Sequence, residues 1–101
     1  METKANKKGN LFGSMAELKE NNYKIYAIEQ VEESIFLNEF LPVQNEKYAV
    51  IFGNEVKGVQ QEAVDKCEGS IEIPQYGTKH SLNVSVTAGI VIWDLFNKLT
   101  R

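Results

Sequence analysis

Two apolar runs in this chain differ in texture. Tyr48-Ala49-Val50-Ile51-Phe52 is short and apolar at every position, bounded by Lys47 and Gly53. A run of that kind predicts a strand covered on both faces, and hence a parallel sheet. The run from Val84 to Phe96 is longer. Its first half (Val84, Val86, Ala88, Ile90, Val91) is apolar all round and predicts a buried helix over about Asn83 to Leu99. Its far end, with Asp94, Asn97, Lys98 and Arg101, is wet. Weaker patterns fill the rest. Tyr23 to Glu29 is rich in aromatic and β-branched residues and predicts a strand. Val59, Ala63, Val64 and Cys67 recur at helical spacing, with Gly69 as the break. Ser70 to Ile73 predicts another strand, stopped by Pro74. Ser14-Met15-Ala16-Glu17 has the form of a capping box and predicts a helix from about Met15 to Glu20, ended by Asn21-Asn22. Gln30 to Gln44 stays open: Ser34 to Leu37 is either a short strand or a helical turn, and Pro42 ends it.

Helices and strands in this alternation predict an α/β fold, a mainly parallel sheet flanked by helices. Ligands of such sheets sit beyond the carboxyl ends of the strands. Two unusual loops follow predicted strands there, Gly53 to Gly58 and Pro74 to Asn83.

A length of 101 residues allows one domain with a modest core. The net charge of −3 gives the whole molecule no attraction for nucleic acid, although it allows a local basic patch. The lone Cys67 cannot form an internal disulfide and reads as a small half-buried core residue or a reactive thiol. Residues 1–13 read as a flexible basic tail, with Lys4, Lys7 and Lys8, either solvated or touching RNA. The folded part then runs over 14–101. The N-terminus lacks an apolar signal core, and no run is long enough to span a bilayer, so the expectation is a cytoplasmic protein without membrane contact.

The first loop, FGNEVKG, has glycines where a backbone can turn sharply or approach a ligand closely. Glu55 lies between them. It either orders a facing loop or holds a ligand, or it is an exposed residue of a plain turn. The spacing fits neither a phosphate loop nor a dinucleotide fingerprint. In the second loop, Ser81, Asn83 and Ser85 cluster at a helix start, more polar groups than one cap needs. His80 is a possible acid–base group, but one His and one Cys make no zinc site, and no metal is expected.

FGNEVKGV followed by IPQYGTKHSLNVSVTAGI closely resembles two motifs of the SpoU (also called TrmH) family of RNA 2′-O-ribose methyltransferases, in the SPOUT superfamily. The family patterns are approximately FGxExxG and IPMxGxxxSLNVSVAxxI. Gln75 stands where Met is usual, and Val56 where Gly is frequent. The match is strong over Tyr48 to Phe96, and Tyr23 to Gln30 looks like the preceding strand. The resemblance implies a trefoil-knotted α/β domain that binds S-adenosylmethionine largely through main-chain groups. By motif position it implies Gly53, Ile73 and Leu82 at the cofactor, with Glu55, Ser81 and Asn83 supporting the catalytic site. It also implies an RNA substrate (tRNA or rRNA) and a homodimer.

One family feature is missing. An N-x-G-x-x-x-R motif, whose Arg takes the ribose hydroxyl proton, is not found, and the only arginine is Arg101. The chain therefore reads as an N-terminally truncated portion of the domain, inactive by itself. The alternative is a catalytically incomplete module that binds cofactor or dimerises. Val91, Trp93, Leu95 and Phe96 are either the dimer surface or ordinary core.

Overall fold

The computed structural model describes residues 11–53, 58–74 and 84–100. Among these residues, four parallel strands form one sheet: β1 (Tyr23–Ile28), β2 (Ile35–Phe36), β3 (Lys47–Phe52) and β4 (Gly69–Glu72), in the order β2-β4-β1-β3. β1 is central. It pairs with β3 from Tyr23↔Lys47 to Ile28↔Phe52, and with β4 from Tyr26↔Gly69 to Ile28↔Ile71. Among the described residues, three α-helices accompany the sheet: α1 (Leu11–Glu20), α2 (Gln61–Asp65) and α3 (Val84–Thr100).

The two-residue period of the strands splits the core. Tyr26, Ile28, Tyr48, Val50, Phe52 and Ile71 point to one face and pack with Leu37, Phe40, Val91 and Leu95. Ile25, Ala49 and Ile51 point to the other and pack with Met15, Leu18, Ala63 and Val59. Both faces are thus covered, as the unbroken apolar texture of β3 predicts.

The open segment resolves into both of its alternatives. Ile35–Phe36 is a two-residue strand, and Leu37–Glu39 is a 3-10 turn that returns the chain across the sheet. Aromatic side chains seat this crossing. The Tyr26 and Phe40 rings meet edge-on at 4.9 Å, and Phe40 and Tyr48 do so at 6.0 Å. The Tyr48 hydroxyl accepts the Val43 N–H at 2.8 Å. Burial raises the pKa of Tyr26, with a further rise from Tyr48. Lys98 of α3 donates to the Leu37 carbonyl and pairs with Asp94, each at 2.6 Å.

Four expectations need correction. α1 begins at Leu11, so Ser14 is an exposed residue inside the helix and not its cap. Its end is as expected: Asn22 takes φ 66°, a left-handed stop that Asn tolerates well. α2 is five residues long, shorter than its apolar spacing suggests, because Lys66 and Cys67 close back on Ala63 and Val64 in a tight turn. Gly69 opens β4 and does not simply break the helix. The largest difference concerns α3, expected to be buried on every side. Val91 and Leu95 are 0% and 1% exposed, but Val86 and Trp93 are 51% and 67% exposed. One stripe faces the sheet, and no other described element covers the opposite one.

Cys67 resolves as a core residue. Its thiol donates to the Ala63 carbonyl at 3.3 Å, and burial pushes its pKa up. Residues 1–10, and with them most of the expected tail, lie outside the described residues, as do 75–83, where the knot crossing is expected.

Candidate functional site

Because the strands run parallel, their carboxyl ends share one rim. Glu29 follows β1, Gly53 follows β3 and Ile73 follows β4. Adjacent strands lie about 4.8 Å apart, so the ends of β3 and β4, on either side of β1, are separated by roughly 10 Å. Gly53 and Ile73 are both partly exposed, and Ile73 packs on the edge of the core.

Gly53 is the tightest point of the rim. A Cβ built there would overlap the Gly58 carbonyl carbon and the Val59 nitrogen, and would stand 2.7 Å from the Gly58 Cα. Only glycine lets the two ends of this loop meet. Gly58 itself has φ 68°, a conformation that costs other residues strain.

Two further groups on the rim escaped the sequence reading. The Glu29 Oε2 accepts the Val59 N–H at 2.8 Å, and its Oε1 accepts the Gln30 N–H at 3.1 Å. The Ser34 hydroxyl lies 2.5 Å from Glu72 Oε1 and 2.9 Å from the Val31 carbonyl, tying the approach to β2 to the end of β4. A signal for Glu29 does exist in the sequence. It is an acid placed directly after an apolar strand, at the edge where ligands gather.

Of the residues expected at the site, Gly53 and Ile73 are therefore on one rim. Glu55, Ser81, Leu82 and Asn83 lie outside the described residues, as does His80. No cluster of three or more His, Cys, Asp or Glu side chains that could hold a metal occurs among the described residues. No described helix is long and apolar enough to cross a membrane.

Three comparisons with known proteins bear on this rim. The model of the SpoU rRNA Methylase family matches residues 2–93. A tRNA (guanosine(18)-2′-O)-methyltransferase of Thermus thermophilus is 38% identical over 78 residues, covering 76% of this chain and 39% of that protein. One of Borreliella burgdorferi is 34% identical over 96 residues, covering 95% of this chain and 43% of that protein. Among solved structures, the A. aeolicus TrmH/SpoU tRNA modifying enzyme superposes with a TM-score of 0.74 at 31% identity, over 86% of this chain and 43% of that one. An RNA 2′-O ribose methyltransferase, 22% identical with a TM-score of 0.72 over 87% of this chain and 33% of that one, shares the fold. The chain thus spans about two-fifths of the length of these curated relatives.

The contact at Gly53 is directly testable. Gly53→Ala should destabilise the fold by about 1–3 kcal/mol in urea titrations, the usual cost of overpacking. Gly13→Ala, on the exposed side of α1 with nothing within 4 Å, should be neutral or stabilising. Equal midpoints for the two variants would mean that the loop ends do not meet.

Proposed function

The chain belongs to the SpoU rRNA methylase family, and on that premise we propose that it carries the S-adenosylmethionine-binding part of an RNA 2′-O-ribose methyltransferase domain. One observation carries this reading: the first residue of one family loop, Gly53, and the residue opening the other, Ile73, follow strands that flank β1 on a single rim. The cofactor supplies an electrophilic methyl group on a sulfonium, which a ribose 2′-oxygen takes in one displacement as the carbon–sulfur bond breaks and the hydroxyl proton leaves.

The residues of this chain bind and orient. Gly53 keeps side-chain atoms away, so that main-chain groups can read the edge of an adenine. Ile73, with Leu82 from the second loop, offers aliphatic packing to its faces. Glu55, Ser81 and Asn83 support the site by hydrogen bonding, a role assigned from motif position. The substrate is an RNA, tRNA or rRNA, in keeping with the names of the relatives, and the work is cytoplasmic. The knotted crossing belongs to this reading as well.

A second reading has its own observation. The only arginine is Arg101, so no motif Arg is present to take the hydroxyl proton. In that case this chain binds cofactor without turnover. Calorimetry with S-adenosylhomocysteine, followed by transfer of labelled methyl to tRNA and rRNA, separates the two. We expect saturable binding below about 1 mM ligand. Binding with transfer supports the first reading, and binding without transfer supports the second. No heat at that concentration contradicts both.

We also propose that the chain pairs with a second copy through the outer stripe of α3. Trp93 and Phe96 are 67% and 51% exposed, and their rings stack at 6.4 Å on the side away from Val91 and Leu95. With Val86 and Ile90 they form an apolar surface typical of an interface. Trp93→Glu should shift the sedimenting species from dimer to monomer and leave the folded signal intact. An unchanged dimer would exclude this face.

A further inference from the structure

Glu29 belongs to neither family motif, yet it links the end of β1 to β4 and to the segment that returns after β3. It continues β1. Its backbone N–H donates to the Ile71 carbonyl of β4 at 3.1 Å. Its side chain crosses to the segment that returns after β3, where Oε2 accepts the Val59 N–H at 2.8 Å. The same oxygen occupies the space that a Cβ on Gly58 would need. Gly58 and Val59 in turn fill the space above Gly53. The contacts therefore run without a gap from the Glu29 carboxylate, through Gly58 and Val59, to Gly53.

We propose that Glu29 is a positioning residue for the cofactor site, its carboxylate fixing the Gly58–Val59 backbone and thereby the main chain at Gly53. This inference rests on the reading that Gly53 borders the adenosyl group. A carboxylate suits the task for two reasons. Charge-assisted hydrogen bonds from backbone N–H groups are shorter and stronger than neutral ones. Its two oxygens also hold two N–H groups at once, those of Val59 and Gln30. Recognition by main chain has no rotamers with which to correct a misplaced loop, so a small shift at Gly53 passes straight into affinity. A shorter acid would not span the distance. An amide keeps one acceptor but sets an NH2 group against the other N–H.

The test measures stability and affinity separately. S-adenosylhomocysteine is titrated into the wild type, Glu29→Ala, Glu29→Gln and Gly58→Ala, at a temperature where circular dichroism shows each to be folded. Glu29→Ala should bind at least about tenfold more weakly, the usual scale for losing a charged hydrogen-bond acceptor. Glu29→Gln keeps one neutral acceptor for Val59 and should bind about threefold more weakly than wild type, between wild type and Glu29→Ala. Gly58→Ala drives a methyl group into Oε2 and should weaken binding as Glu29→Ala does, an independent arm should Glu29→Ala fail to fold. If wild type binds and Glu29→Ala binds equally well with only a lower Tm, the residue is merely structural and the proposal falls, with the cofactor reading intact. If Gln and Ala are equally weak, the acceptor is not what matters and the proposal also falls. If wild type itself does not bind, the cofactor reading fails and takes this inference with it.

Discussion

Parallel pairing of β1 with both β3 and β4 is the constraint on which the rest depends. An antiparallel neighbour would send its loop to the opposite edge of the sheet. With all three strands running together, the segments after Ile28, Phe52 and Glu72 emerge side by side. The register adds precision. Ile28 is level with Phe52 on one side and Ile71 on the other, so the next residue of β1, Glu29, sits between the two loops. Burial on both faces fixes that register, because a one-residue slip would turn Tyr26, Ile28, Tyr48 and Val50 away from one core and into the other.

The rim is then closed by backbone more than by side chains. Gly53 meets Gly58 and Val59 where no Cβ fits, and one carboxylate holds that junction from β1. This economy explains why the loop motif is rich in glycine and poor in groups that look catalytic. The long helix is secured differently: Lys98 donates to the Leu37 carbonyl and Gln44 donates to the Lys98 carbonyl, which ties the carboxyl end of α3 to the connection between β2 and β3.

Much of this was legible in the sequence, for identifiable reasons. β3 is apolar at every buried position, and β1 has the composition of a strand, so their existence and parallel sense followed. Gly53 and Ile73 follow β3 and β4, as the apolar runs ending at Phe52 and before Pro74 predict. Other features resisted local reading. The exposed stripe of α3 did so because an all-apolar helix looks the same whether its outer side meets protein or nothing else in the chain. The true start of α1 was hidden by a capping-box pattern at Ser14, a local signal overridden by the helix extending back to Leu11. Glu29 was missed because its role is tertiary. Its partners, Gly58 and Val59, lie about thirty residues downstream and come near only once β1 and β3 pair.

The most direct measurement of the central claim is a map of backbone amide shifts on a nitrogen-15-labelled chain as S-adenosylhomocysteine is added. The largest changes are expected on Gly53, Val59 and Ile73, at the carboxyl rim of β1, β3 and β4. Changes confined to the other rim, around Tyr23, Lys47 and Gly69, would contradict that claim.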